Sequence, residues 1–340
     1  MGGGERYSMY LAKGLAERPE ISEVKIVSFA NAVETAQISD KVVLDLVPPD
    51  NGKLGHQALG MRILEKLRNS DIVHIQQCFS PISELLTSLA IFFGKKVFLT
   101  DHGARISRLG ANAGLCALAD GVISVSQFAD SYFSRFETRA RYVAPGGVPT
   151  EQFQPNFSPF GRDRLVFVGR ILPHKGIDRV IRAIDRNVRF QVFGSVGNEK
   201  YFSDLKELSK GKSVEFILSA DDAVVHNAVK KAFALILPST YVDCYGGRHE
   251  APELMGFTLL EAMAMATPVI CSNVGGMPEF VDHGAAGFVF DTEDELKDAI
   301  RSLHGKPNII QEFGRNGHRR VNAEFSSKRV SSNVASVYGV

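Results

Sequence analysis

Residues 253–270 read Glu253-Leu-Met-Gly256-Phe257-Thr258-Leu259-Leu-Glu261-Ala-Met-Ala-Met-Ala-Thr267-Pro268-Val-Ile270. An acid and a glycine open the stretch, and a run with no helix breaker follows as far as Pro268. A helix is therefore expected to start near Gly256 and stop at Thr267-Pro268, with an apolar strand over Val269 to Cys271. Such a helix leaves the backbone N–H groups of Phe257, Thr258 and Leu259 free, and a helix start of this kind holds anions without any basic side chain. Glu253 stands just before that end and Glu261 about one turn inside it. Two carboxylates beside an anion site fit a ligand that carries hydroxyl groups as well as phosphates, because an ionised carboxylate is a strong acceptor for O–H donors. A nucleotide-diphosphate sugar has that combination. The plain alternative is a buried helix whose Ala and Met side chains face a sheet, with two solvated glutamates.

Working outward, strands alternate with helices on both sides of a Pro-rich break. Before the break, strands are expected at Val24–Phe29, Lys41–Leu46, Asp71–Gln76, Lys96–Gly103, Gly121–Ser126 and Ala140–Ala144, with helices at His56–Asn69 and Gln127–Phe136. After it come strands at Arg164–Gly169, Val188–Gly194, Val214–Leu218, Ala234–Pro238 and Gly287–Phe290. Helices are expected at Pro173–Asp185, at Asp221–Lys231 and from Glu293 onward. Alternation of this kind makes a parallel sheet covered on both faces. Its restart after Pro145, Pro149, Pro155 and Pro159 makes two similar α/β domains. The boundaries follow: residues 1–147, a linker at 148–162, a second domain at 163–325, and a C-terminal helix at 326–340 returning toward the first. Ligands of such sheets bind beyond the carboxyl ends of the strands, so a cleft lined by two such edges is the expected site.

Three more stretches carry chemistry. Gly169-Arg170-Ile-Leu-Pro173-His-Lys175-Gly176 ends a strand and enters a helix, with Pro173 suited to the first turn. Lys175 in that turn would oppose the helix dipole, which implies an anion to offset it. Thr100-Asp101-His102-Gly103 ends another strand on the same kind of edge. Met1-Gly2-Gly3-Gly4-Glu-Arg-Tyr7 looks like a phosphate-approach loop entering a helix. It is not a dinucleotide fingerprint, since the third glycine would fall at Tyr7 and no strand precedes it. That disfavours a nicotinamide-dependent dehydrogenase.

Glu253 and Glu261 around Gly256-Phe257, followed by Glu-Ala-Met-Ala and Thr-Pro-Val-Ile, closely resemble the donor-site motif of retaining glycosyltransferases of family 4. The likeness covers most of the chain. It implies a GT-B fold of two Rossmann-like doubly wound domains facing a central cleft. It also implies that Gly2–Gly4 belongs after a first β-strand, here absent, whose loss from the middle of a sheet leaves a gap and suggests a truncated start. Arg170 and Lys175 match the positions that bind the donor diphosphate in similar enzymes, and His102 matches a histidine near the donor sugar. The implied catalytic set is Arg170, Lys175, His102 and Glu253. The implied donor-binding set is Gly2, Gly3, Gly4, Gly169, Gly256, Phe257, Thr258, Leu259 and Glu261. Glu279, in Gly275-Gly-Met-Pro-Glu279, is read as part of a turn without a catalytic role. The activity implied is hexosyl transfer (EC 2.4 class) from a nucleotide-diphosphate sugar to a sugar, lipid-linked or small-molecule acceptor with retention of configuration. A catalytically inactive, truncated GT-B protein that still binds nucleotide sugars is the alternative; a sugar-nucleotide epimerase would lack this glutamate pair.

Composition narrows the partners. A 340-residue chain that is 44% hydrophobic and 23% charged suits two soluble domains, and a net charge of +1 gives no general attraction to nucleic acid. Cys78, Cys116, Cys244 and Cys271 are widely spaced and no leader is visible, which suits reduced thiols in a cytoplasmic protein. No apolar run reaches the roughly 18 residues of a membrane span. Peripheral contact with the inner face of a membrane is compatible with this. No cofactor and no metal are expected. There is no His-x-x-x-His or cysteine cluster, and no Asp-x-Asp. The loop Tyr241-Val-Asp-Cys-Tyr-Gly-Gly-Arg-His-Glu-Ala-Pro, rich in aromatic, Arg and His residues, is either solvated or an acceptor contact.

Overall fold

The computed structural model describes residues 2–52, 63–103 and 114–340. The chain divides into two compact units, one running to Gly147 and including Ser326–Val340, the other Val148–Phe325.

In the first unit, β1 (Val24–Phe29), β2 (Glu34–Ser39) and β3 (Val42–Val47) form a sheet of order β1-β3-β2. β2 runs antiparallel to β3, a departure from the all-parallel expectation. Only Asp40 and Lys41 separate these strands, and so short a link permits a hairpin but no crossover. A second sheet joins β4 (Ile72–Gln76), β5 (Lys96–Thr100), β6 (Gly121–Ser124) and β7 (Arg141–Val143) in sequence order, all parallel. One doubly wound sheet was expected here, and two are found. Among the described residues no ladder joins β1 to β4. The two sheets still share one core, in which Val27, Phe29 and Val47 pack with Val73, Ile75 and Leu99.

Helices Gly3–Ala16 and Ser327–Tyr338 belong to this unit and pack closely. A Cβ on Gly14 would sit 2.8 Å from that of Ser331, so only glycine allows the approach. Tyr338 reaches the sheet, its hydroxyl 2.6 Å from His74 Nδ1. Helix Pro81–Phe92, absent from the sequence reading, starts with Pro81 in its first turn and is capped by Ser80, whose Oγ accepts from the Ser83 N–H. Of the helix expected at His56–Asn69, Ile63–Arg68 is seen; residues 53–62 lie outside the described residues.

The second unit is a single parallel sheet. It holds β8 (Arg164–Val168), β9 (Arg189–Phe193), β10 (Val214–Ile217), β11 (Ala232–Leu237), β12 (Val269–Ser272) and β13 (Gly287–Phe290), in the order β10-β9-β8-β11-β12-β13. All six residues of β11 are buried, as a central strand covered on both faces requires. The order reverses between β8 and β11. Ligand sites in such sheets form beyond the carboxyl ends of the strands at that reversal.

The Pro-rich stretch 148–162, expected as a linker, packs within the second unit, with Val148 and Phe153 buried. Arg162 fixes it there. Its buried guanidinium donates to the carbonyls of Asn156, Ser158, Ala232 and Ala266 and to Thr267 Oγ1. Burial lowers its pKa to about 10, still far above neutrality. Prolines read as a break therefore end in an anchored segment.

Candidate active site

The switch point of the second unit is built from the ends of β8 and β11 and the helix Phe257–Ala264. Beyond β8, Gly169 donates its N–H to Phe193 O at 2.9 Å, and Arg170 is exposed. The helix expected at Pro173–Asp185 is two elements: a 3-10 turn, Pro173–Lys175, and a helix, Ile177–Ala183. Gly176 divides them with φ +66°, and a Cβ there would lie 2.2 Å from Pro238 O beyond β11. A left-handed residue with no room for a side chain has to be glycine. Lys175 therefore precedes the α-helix instead of lying in its first turn.

The anion beside Lys175 is internal. Its Nζ lies 2.5 Å from Glu253 Oε2, the two side chains 16% and 18% exposed. A carboxylate thus already answers the lysine, so the dipole argument alone no longer implies a bound phosphate. Glu253 is itself held by a turn. Gly275 has φ +62°, a Cβ on it would meet Glu253 O at 1.7 Å, and Gly276 N–H donates to that carbonyl at 3.2 Å. Gly275 N–H donates to Tyr241 Oη at 2.9 Å.

Helix Phe257–Ala264 begins after Gly256 as expected. Its start is less open than expected. The Leu259 N–H donates to Gly256 O at 2.9 Å. Of the three N–H groups named from the sequence, that of Leu259 is thus already engaged within the helix start. Glu261 is 5% exposed and is partnered, not solvated.

Two residues that the sequence reading did not assign border this pair. The His174 ring packs against that of His249, centres 4.8 Å apart and planes tilted by 42°, and burial, with Lys175 nearby, lowers its pKa to about 4. His249 Nε2 lies 2.8 Å from Asp243 Oδ2. Asp243 also accepts from the N–H groups of Tyr245 and Gly247, and the hydrogen bond from His249 contributes most to holding its carboxyl below the usual range. The loop after β11 is therefore a tied hairpin, with Val242 bridged to Arg248 and Thr240 N–H donating to His174 O at 2.9 Å. A folded hairpin of this kind depends on pairings across several residues, which a residue-by-residue reading of composition does not reveal.

The remaining candidates form a separate cluster in the first unit. Gly3 and Gly4 lie in the first helical turn, not in a loop, and Gly2 is the N-cap with its N–H bonded to Glu5 Oε2. Gly4 is small for a reason: a Cβ there would sit 3.2 Å from His102 Cβ and Cγ. The Tyr7 ring packs 4.9 Å from the His102 ring, and His102 Nε2 lies 2.7 Å from Gln76 Oε1. Burial lowers the His102 pKa to about 4, so the ring is neutral near pH 7. Among the described residues no three His, Cys, Asp or Glu side chains converge as a metal site, no helix is long and apolar enough to cross a membrane, and all four cysteines are free thiols.

The switch-point sheet with a cation, two carboxylates and a helix start, and a second α/β unit beside it in the chain, define a glycosyltransferase of GT-B type. Comparison with known families gives the same result. Residues 149–320 match the family described as Glycosyl transferases group 1, and residues 1–152 match Glycosyltransferase Family 4. The chain belongs to this glycosyltransferase family. It is 26% identical over 292 residues to a GDP-mannose-dependent alpha-(1-6)-phosphatidylinositol monomannoside mannosyltransferase of Mycobacterium tuberculosis, covering 75% of this chain and 72% of that one. It is 27% identical over 195 residues to an alpha-maltose-1-phosphate synthase of Mycolicibacterium smegmatis, spanning 52% of this chain and about half, 48%, of that one. Among solved structures, a sucrose-phosphate synthase from Thermosynechococcus elongatus superposes with a TM-score of 0.77 at 19% identity, covering 99% of this chain and 93% of that one. Anabaena HepE, solved with UDP and glucose, gives 0.75 at 17% identity, covering 99% and 96%. At such identities these two show the fold.

Proposed function

We propose that this glycosyltransferase moves a hexosyl unit from a nucleotide-diphosphate sugar to an acceptor hydroxyl with retention of configuration and without a metal. The Lys175–Glu253 pair at the switch point carries the reading, because it sets a cation for phosphate against a carboxylate for sugar hydroxyls. Solved neighbours described as UDP and UDP-glucose complexes support a nucleotide-sugar donor. The absence of Asp-x-Asp in the sequence supports metal independence.

In this reading the diphosphate lies against Lys175, Arg170, Gly169 and the Thr258 N–H. Glu253 accepts from donor-sugar hydroxyls and Glu261 from the ribose. His102, with Gly2–Gly4 near it, is assigned a hydroxyl of the donor sugar. The bond from the sugar C1 to the diphosphate oxygen breaks, and its electron pair leaves with the nucleoside diphosphate. The acceptor oxygen bonds to C1 from the same face, and its proton passes to the departing phosphate. Lys175 and Arg170 stabilise the charge that grows on that phosphate, an interaction stronger in the transition state than in the ground state. No acid–base pair of the glycosidase kind is needed. The acceptor is a sugar, a lipid-linked sugar or a small molecule; contact with the inner face of a membrane from the cytoplasm fits the second of these.

A thermal-shift screen against UDP-, GDP- and ADP-sugars tests the donor class, since a ligand that binds only the folded chain raises its apparent stability. One series should raise Tm in a saturable way. No shift with any of them contradicts the donor assignment. Binding without turnover would instead favour an inactive nucleotide-sugar-binding protein.

A further inference from the structure

Lys175 and Glu253 both stand on irregular backbone of the second unit. Lys175 closes a three-residue 3-10 turn, and Glu253 lies between β11 and helix Phe257–Ala264, where no helix or strand forms. A functional side chain on such backbone keeps its place only if its neighbours hold it. The hairpin after β11 reaches both. On one side Tyr241 Oη accepts the Gly275 N–H at 2.9 Å, and the next N–H of that turn, from Gly276, donates to Glu253 O at 3.2 Å. On the other side the Thr240 N–H donates to His174 O at 2.9 Å, and the His249 ring packs against the ring of His174, the residue before Lys175. His249 is fixed in turn. Its N–H donates to Tyr241 O at 2.8 Å, and its Nε2 lies 2.8 Å from Asp243 Oδ2. Asp243 Oδ1 accepts from the N–H groups of Tyr245 and Gly247, so one buried carboxylate closes the hairpin.

A loop that only connects two elements keeps its polar groups within itself or in water. Here the Tyr241 hydroxyl and the His249 ring leave the hairpin and each meets a different turn of the candidate site. We propose that Tyr241 and His249 are positioning residues, Tyr241 setting the carboxylate of Glu253 and His249 the ammonium of Lys175, so that a single hairpin registers the sugar-binding arm of the donor site against its phosphate-binding arm. Gly275 has no room for a side chain because Glu253 O lies against it, so the turn that Tyr241 holds and Glu253 shift together. The His249 N–H on Tyr241 O couples the two ties to each other. A misplacement of about 1 Å can cost on the order of 10²-fold in rate, so the loss of one tie is enough to be measured. The inference rests on the donor reading above and lies wholly within the second unit.

The test is a split between two measurements on the full chain: steady-state kinetics with the sugar nucleotide that the wild type turns over, and calorimetric titration with its free nucleoside diphosphate. Tyr241→Phe keeps the ring and removes the acceptor for Gly275 N–H. It should lower kcat about tenfold, the worth of one hydrogen bond, and leave KM and nucleoside diphosphate affinity nearly unchanged. His249→Leu removes the bond to Asp243 and the ring beside His174. It should weaken nucleoside diphosphate binding about tenfold through Lys175. His249→Gln, which can still donate to Asp243, should recover most of that affinity. Circular dichroism is the folding control, and should His249→Leu fold poorly, Asp243→Asn loosens the same tie with the ring in place and should show a smaller loss of the same affinity. Variants that fold and match the wild type overturn the proposal. So do variants that lose kcat and nucleoside diphosphate affinity in equal measure, since the hairpin would then serve the fold alone. A wild type that neither binds nor turns over any sugar nucleotide sinks the donor reading and this inference with it; a wild type that does both, beside variants without the split, sinks this inference alone.

Discussion

Lys175 and Glu253 stand 78 residues apart in sequence and 2.5 Å apart at the switch point of the second unit. Each answers the other's charge. In the proposed function the donor divides the pair, giving phosphate to the lysine and hydroxyl groups to the carboxylate. Lys175→Ala should therefore lower kcat by about 10²–10³-fold, the range for removing one preorganised charge-stabilising donor. KM for the donor should rise less. Arg170→Lys should also lower kcat, because a lysine lacks the two-pronged grip of a guanidinium on phosphate. Steady-state kinetics, with circular dichroism as the folding control, gives the result. Folded variants with near-normal turnover would mean that the diphosphate is held elsewhere.

The two glutamates are expected to separate. Glu261→Ala should weaken binding of the free nucleoside diphosphate, and Glu253→Ala should leave that affinity nearly intact while lowering turnover. Calorimetric titration of both variants decides it. Equal loss of nucleoside diphosphate binding in both would contradict the division of roles. Glu261 is buried, so a denaturation curve must accompany its variant.

Arg162 gives a stability prediction. Its guanidinium serves five acceptors, so Arg162→Ala leaves several buried oxygens without a donor. Each buried unsatisfied group costs about 1–3 kcal/mol, so a loss of about 3 kcal/mol or more is expected. A urea midpoint that falls with little change in slope would show it. A midpoint within error of wild type would mean that water replaces the guanidinium.

The Lys175–Glu253 pair also shows where the sequence was informative. The stretch around Glu253 and Glu261 revealed the helix, its glycine start and its strand, because those are local signals. The Gly169–Gly176 stretch revealed a basic pair but misassigned its helix, because the break at Gly176 is set by Pro238 O, a contact 62 positions on. The hairpin β2–β3, the tied loop holding His249 on His174, and the Gln76–His102 bond depend on pairings across the chain, and composition carries no trace of them. Arg162 read as part of a linker because a buried arginine looks the same in sequence as a solvated one.

Acid should destabilise the first unit. Burial lowers the pKa of His74 to about 3 and of His102 to about 4, from about 6.5 in the unfolded chain. Above pH 6.5 both are neutral in both states and add no pH dependence. As pH falls below 6.5 the unfolded chain takes up protons that the folded one refuses. Stability should then fall by about 1.4 kcal/mol per pH unit for each histidine until the folded pKa is reached. Urea midpoints at pH 7.5 and 5.5 test this, with His74→Phe expected to flatten the slope. A midpoint that does not change between these values would contradict the buried neutral state.

Retention is the central mechanistic claim, and NMR tests it most directly. The donor identified by thermal shift is incubated with acceptor, and the anomeric coupling constant of the fresh product is read before mutarotation or hydrolysis. The configuration at C1 should match that of the donor sugar. An inverted linkage would mean attack from the opposite face, and front-side attack assisted by the leaving phosphate would then be wrong.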